Sequence, residues 1–383
     1  MKRQRAMDLG IEIGIFGKGR LNAITDVEGV LVGQATLVEG EGPLVRGVGP
    51  VRTGVTVILP HGENLFEDKV RAGCFVLNGF GKSAGLHQIR ELGTMETPVA
   101  LTNTLNVGLV SDALTALACE RNPGIGVETG TVNPVVGDIN DGFLNDIQGR
   151  HVKESHVRAA IAAASGSTVA EGNSGGGTGC SCMGFKGGIG TSSRRLPARF
   201  GGWTVGVLSQ TNFGGILSVN GAPVGRELGI FDFARLEASP EAGPEATKDG
   251  SCMVVIATDA PLDSRLLSRL CARAGLGLAR TGFYSGNGSG DFFLAFSTAG
   301  RVSHGRRGAS SLDVLSDDSM SPLFAALVEA VEESVINSLM AAETMVGRDG
   351  NRREALDMEK LATICDKYGV RGWGSRLPGA VGF

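Results

Sequence analysis

Sixty of the 383 residues are glycine, about twice the usual share of roughly 7%. They are scattered among apolar, β-branched runs and form no long tract. In that setting glycine serves tight turns and close passage of one backbone over another. A layered, strand-rich core is therefore expected, and disorder is not. A chain of 383 residues can bury one large core or two smaller ones, and no internal repeat divides it. The formal charge of −4 leaves no basic footprint for nucleic acid. No apolar run nears the roughly 20 residues of a membrane span. The basic start Met1–Asp8 is not followed by an apolar signal segment, so a cytoplasmic protein is expected. Seven cysteines form an odd set, and Cys180-Ser-Cys182 has neither zinc spacing nor a second pair to complete it. They read as buried or half-buried free thiols; the lesser alternative is that Cys180 or Cys182 lines a site.

Hydrophobic periodicity predicts strands over Thr53–Leu59, Cys74–Leu77, Pro98–Thr102, Trp203–Ser209, Cys252–Thr258 and Asp291–Phe296. Ile24–Val32 also alternates like a strand, broken at Gly29. Helices are predicted over Ala84–Leu92, Val107–Cys119, His151–Ala164, from Pro261 onward, from Ser321-Pro322 to Gly347, and over Glu354–Tyr368. Arg265, Arg269 and Arg273 line one helix face, which reads as a solvated outer face.

The chemistry gathers at Asp249-Gly250-Ser251. Ahead of it, 237–248 is acidic and rich in Pro, Gly and Ala, so 237–250 reads as an exposed linker. Behind it lies the buried strand Cys252–Thr258. Ser251 is thus anchored on one side and reachable on the other. Gly250 has no Cβ and leaves its carbonyl open. Attack by the Ser251 hydroxyl on that carbonyl, then hydrolysis, would cut the chain into 1–250 and 251–383. The freed α-amine of Ser251, with a pKa of about 7.7–8.0, can act as base for its own hydroxyl. By itself Gly-Ser is a weak signal, and a plain turn is the alternative.

Other candidates surround this pair. Asn212 sits where Trp203–Ser209 runs into Gln210-Thr-Asn-Phe-Gly214, a place for an amide donor or for an Asx turn. Ser289 and Asp291 are two apart, on one face if strand geometry holds there. Such a pair can relay protons or simply form a strand-entry turn. Asp138, Asp141 and Asp146 lack calcium-loop spacing. Asn78-Gly-Phe-Gly-Lys-Ser83 fails as a phosphate loop because position 76 is valine. Gly172-Asn-Ser-Gly-Gly176 matches a nucleophile elbow but lacks its strand–turn–helix context, so it reads as a glycine loop. Lys186–Arg194 continues that loop, either lining a pocket with amides or connecting strands.

Taken together these segments resemble the DmpA/BapA-type family of L-aminopeptidase/D-esterases and β-peptidyl aminopeptidases. The resemblance runs from about Ile24 to Asn351. It rests on Ile24-Thr-Asp-Val27, Gly175–Gly179, Gly184–Arg194, Gln210–Gly214, Gly250-Ser251, Ala257–Pro261, Ser285–Asp291 and Ala341-Ala-Glu-Thr-Met345. It implies an α/β fold, a single-domain αββα sandwich of the N-terminal-nucleophile kind, self-cleaved at Gly250-Ser251. It also implies a serine aminopeptidase acting on short peptides, amides and esters, without metal or other cofactor. The cleaved fragments stay together and assemble as a homo-oligomer, commonly a tetramer of heterodimers. By the same resemblance Ser251 is the nucleophile, assisted by Ser289 and Asp291, the latter a glutamate in relatives. Asn212 corresponds to an oxyanion donor. Asp138, also a glutamate in relatives, corresponds to the acid that holds the substrate ammonium. Asn140 falls where some relatives carry a tyrosine near the oxyanion, which leaves the second donor unassigned. Two rival functions are an endo-type amide hydrolase of ω-amino-acid oligomers and a non-catalytic small-molecule-binding protein on the same scaffold. A hydrolase built on Ser174 is more remote.

Overall fold

The computed structural model describes residues 3–234, 250–305, 307–309, 311–375 and 377. The expected linker over 237–249 and the last residues of the glycine-rich tail lie outside these. Gly250, the end of that linker, is buried rather than exposed.

Two sheets face each other. The smaller has the order β1 (Leu31–Glu39), β2 (Val51–Leu59), β5 (Val99–Asn103), β6 (Val135–Ile139). The larger runs β4 (Thr94–Met95), β3 (Asp68–Gly79), β12 (Gly290–Ser303), β11 (Ser251–Thr258), β10 (Thr204–Asn212), β9 (Gly188–Arg195). Two short ribbons, β7 (Ser181–Cys182) with β8 (Phe185–Lys186) and β13 (Met345–Val346) with β14 (Arg352–Arg353), lie outside the sheets.

Helices α2 (Val107–Arg121) and α3 (Glu154–Ala162) cover the smaller sheet; α5 (Ser264–Arg280) and α6 (Ser321–Ala341) cover the larger. Short α1 (Leu86–Leu92), α4 (Val224–Leu228) and α7 (Met358–Lys367) are the other α-helices among the described residues. The layers are αββα, as the resemblance implies. Three apolar clusters fill the three gaps. Strand β11 shows why its sequence is continuously apolar: Cys252, Val254 and Ile256 face the helices, while Met253, Val255 and Ala257 face the other sheet.

The dispersed glycines mark where backbones meet. A Cβ on Gly190 would lie 1.9 Å from the Ser334 carbonyl oxygen, so β9 and α6 touch backbone to backbone there. A Cβ on Gly188 would lie 2.0 Å from the Gly172 carbonyl oxygen. That is why Lys186–Arg194, read as loop, is instead mostly the buried strand β9. The loop passing beneath it is pinned by Lys186, fully buried, whose ammonium donates to the carbonyls of Gly177 and Gly187 at 3.0 and 2.6 Å.

Other departures have local causes. Ile24–Asp26 is a 3₁₀ turn, because the Asp26 carboxylate accepts the Leu21 and Ala23 amides at 2.8 and 3.0 Å and closes the chain on itself. Helix α5 starts at Ser264, capped by Asp263, not at Pro261. Ser321 is the first residue of α6 and not its cap, and the helix stops at Ala341, short of Gly347. Helix α7 starts at Met358 under the Asp357 cap. Strand β6 is absent from the sequence reading: Pro134, Gly137 and Asp138 are poor strand formers, and parallel pairing with β5, Thr102 opposite Asp138, imposes the conformation. All seven cysteines are free, five buried and two half-buried. Among the described residues no helix is long and apolar enough to cross a membrane.

Candidate active site

Ser251 opens the strand at the middle of the larger sheet. Asn212, the last residue of β10, stands opposite it on one side; Gly290, the first of β12, stands opposite on the other. Asn212 therefore belongs to the strand rather than following it. Three neighbouring strands thus deliver their ends to one place, where the sheet hydrogen bonds hold them.

The Gly250 carbonyl is the focus of this place. It accepts the Gly290 amide at 3.1 Å and the Ser251 hydroxyl at 2.5 Å. Gly250 is confined: a Cβ there would lie 3.1 Å from Ser289 Oγ. Ser289 Oγ in turn donates to Asp291 Oδ1 at 2.6 Å, so the two side chains do meet. Ser285, in the left-handed region at φ 53°, donates to Asp291 Oδ2, also at 2.6 Å. Burial pushes the Asp291 carboxyl above the ordinary range; the two hydroxyl donors work against that. Ser251, Ser289, Asp291, Asn212 and Asp138 are all buried.

Asn212 is oriented by its neighbours. Its Oδ1 accepts the Ser181 amide at 2.8 Å, and its Nδ2 donates to the Asn140 carbonyl at 2.9 Å. A backbone N–H can pair with the amide oxygen alone, so the flip state of the side chain is set. The NH₂ group carries a second hydrogen beyond the one given to Asn140. Asn140 contributes through its carbonyl, while its own side chain accepts the Gly142 amide at 3.0 Å in a turn.

Asp138 Oδ1 accepts the Lys82 amide and the Ser83 hydroxyl, both at 2.9 Å. Among the described residues its Oδ2, which is buried, has no hydrogen-bond partner. Ser83 Oγ also lies 3.6 Å from the sulfur of Met253, two residues along the strand from Ser251. A carboxylate oxygen buried and unsatisfied is costly unless a donor arrives. Asp141 is engaged differently, by Thr53 Oγ1 at 2.6 Å and Asn145 Nδ2 at 3.0 Å. Ser174 is followed by the 3₁₀ turn Gly175–Gly177, not by a helix, and donates at 3.4 Å to the Glu171 carbonyl. The glycine-loop reading of that stretch holds.

Four supporting residues escape a reading by motif. Asn78 Nδ2 binds the carbonyls of Gly286, Asn287 and Ser289, and so fastens the turn that carries Ser289. Lys82 and Ser83 lie in the segment dismissed as a phosphate loop, yet they bind Asp138. Ser181 orients Asn212. The one visible signal was that polar side chains cluster with glycine just after Leu77; nothing in the spacing says what they hold.

A family model described as peptidase family S58 matches residues 22–353. The chain belongs to peptidase family S58. It is a hydrolase of the peptidase class, and its fold is the DmpA-type variant of the N-terminal-nucleophile hydrolase fold. Among individual relatives, beta-peptidyl aminopeptidase BapA of Sphingosinicella microcystinivorans is 43% identical over 373 residues, covering 95% of this chain and 92% of the relative. A beta-aminopeptidase from Burkholderia sp. superposes with a TM-score of 0.85 at 45% identity, covering 96% of this chain and 99% of that one. The L-aminopeptidase D-Ala-esterase/amidase of Ochrobactrum anthropi superposes with a TM-score of 0.85 at 39% identity, over 97% of this chain and all of that one. The last is described as a prototype serine aminopeptidase with a variant of the Ntn hydrolase fold.

Proposed function

We propose that this chain is a self-processing serine aminopeptidase that releases N-terminal residues from short peptides, amides and esters. The observation that carries the reading is the Gly250 carbonyl, held between the Ser251 hydroxyl and the Gly290 amide. The Gly290 amide is the donor that meets negative charge building on that oxygen, while the Ser251 hydroxyl, already at the carbonyl, turns from donor to nucleophile and gives up its proton. In the first stage Ser251 Oγ bonds to the Gly250 carbonyl carbon, and the C–N bond to Ser251 breaks. The hydroxyl proton passes to the departing nitrogen, with Ser289 and Asp291 as the nearest relay. Water then hydrolyses the ester, leaving a Gly250 carboxylate and a free Ser251 amine.

In the second stage that amine takes the Ser251 proton as Oγ attacks a substrate carbonyl. Departure of Gly250 leaves the Gly290 amide without its acceptor. The substrate oxygen then takes that place, with Gly290 and Asn212 as donors, which supplies the second donor that Asn140 cannot provide as a tyrosine would. Asp138 receives the substrate ammonium on its unpaired oxygen. The fragments 1–250 and 251–383 stay joined, because β11 remains hydrogen-bonded to β10 of the first fragment. A tetramer of such heterodimers is the assembly that goes with this reading.

Intact-mass analysis of purified protein tests it. The wild type should consist of chains ending at Gly250 and starting at Ser251, and Ser251→Ala should stay whole and inactive. An active wild type with the 250–251 bond intact would overturn the mechanism.

A further inference from the structure

Beyond Asn212 the site continues to a cation that the mechanism above does not use. Arg353, on β14, donates from Nε to Ser181 Oγ at 3.1 Å. Ser181 is the residue whose amide fixes Asn212. The guanidinium lies over the Phe143 ring, 3.6 Å from its centroid. Two supports therefore hold its plane in one orientation: a hydrogen bond on one edge and an aromatic face beneath. Its neighbours behave otherwise. Arg352 pairs with Glu354 and Arg348 with Asp349, whereas among the described residues no carboxylate pairs with Arg353. Half-burial lowers its pKa from the ordinary arginine value, and no anion offsets this. A fixed, half-buried guanidinium with its outer nitrogens uncommitted to a carboxylate is suited to bind one in bidentate fashion.

Its position supplies the identity of that carboxylate. Asp138 is reached from the β12 side of Ser251, through Gly81 and Ser83. Arg353 is reached from the β10 side, through Asn212 and Ser181. A carboxylate oxygen and a guanidinium, each without an opposite charge among the described residues, are thus linked to the strand ends around Ser251, Asp138 through Gly81 to β12 and Arg353 through Ser181 to β10. The charges match a short zwitterionic peptide, ammonium at Asp138 and C-terminal carboxylate at Arg353.

We propose that Arg353, oriented by Ser181 and Phe143, forms a carboxylate subsite for the leaving group, so that the enzyme prefers short peptides with a free C-terminus over their carboxamides. This deepens the aminopeptidase reading and rests on it. Arg353 is a specificity residue: it contacts neither the scissile carbonyl nor the nucleophile.

The test compares two substrates in two enzymes. The first substrate is the peptide that wild type turns over fastest in a panel of α- and β-aminoacyl di- and tripeptides; the second is its C-terminal carboxamide. Wild type should favour the free acid by about ten- to hundredfold in kcat/KM, mostly through KM, the range for hydrogen bonds to a charged group. In Arg353→Gln the acid-to-amide ratio should collapse to about one, and Arg353→Lys should restore part of it. An equal loss on both substrates, with the ratio kept, would show that Arg353 merely props Ser181 and would overturn the subsite. An unchanged ratio without any loss would overturn it too. A wild type that releases no N-terminal residue from any panel member sinks the aminopeptidase reading itself, which is a different failure from an enzyme that cleaves acid and amide alike.

Discussion

Replacing Asp138 by asparagine isolates recognition of the substrate amine from the chemistry. The amide keeps the shape of the side chain, and its oxygen can still accept the Lys82 amide and the Ser83 hydroxyl. Oδ2 has no partner to lose, since it is buried and unpaired. Folding stability should therefore change little. Substrate binding should change much: a charge-assisted hydrogen bond contributes about 1.5–3 kcal/mol, and a buried charge left without its partner costs about 2–5 kcal/mol. Taking about 3 kcal/mol, kcat/KM for a free-amine substrate should fall about 150-fold, at 1.36 kcal/mol per factor of ten. The chain's own cleavage supplies the control. Gly250 is preceded by peptide and offers no ammonium, so Asp138→Asn should still cut itself. The assay pairs intact-mass analysis with kcat/KM on an aminoacyl anilide, wild type against variant. Self-cleaved Asp138→Asn that turns over the anilide within threefold of wild type would refute the assignment. So would a variant that no longer cuts itself though it folds.

Two further tests address the scaffold. Burial pushes the Asp141 carboxyl up to about 7; the folded chain then holds a proton that the unfolded chain releases near the ordinary value. Stability should accordingly fall as pH rises from about 4 to about 7 and level off above that, by at most about 4 kcal/mol at 1.36 kcal/mol per pH unit. Burial likewise pushes the Glu171 carboxyl up to about 7, so urea midpoints at several pH values should show a shallower slope in Asp141→Asn than in wild type; parallel slopes would exclude Asp141 as a source. Gly190→Ala places a methyl group 1.9 Å from the Ser334 carbonyl oxygen, so α6 must lift off β9. Overpacking of this kind costs about 1–3 kcal/mol. The melting temperature should drop by several degrees, and an unchanged melt would mean that the two backbones separate freely.

Strongly periodic segments were legible because their signal is local. The apolar run Cys252–Thr258, the stripe of α6 and the alternation of Thr53–Leu59 each declare an element wherever the chain places it. The order of motifs around Gly250-Ser251 was equally plain, and with it the family and the αββα layers. Strand β6 was not legible, because Pro134, Gly137 and Asp138 argue against a strand until β5 lies alongside. Nor was β9, whose glycines look like loop residues until Gly172 and α6 come to rest against them. The roles of Asn78, Ser83, Ser181 and Arg353 were hidden for a related reason: each acts on a residue dozens to hundreds of positions away.

What the chain carries in its order of residues is which groups exist and which segments fold alike. Whether Asp138 keeps an oxygen unpaired, which way the Asn212 amide turns, and which donors meet the Gly250 carbonyl depend on distances of about 3 Å between strands remote in sequence. Local preference acts over a few residues, whereas those distances are set by packing two sheets and four covering helices at once, so tertiary structure alone could decide them.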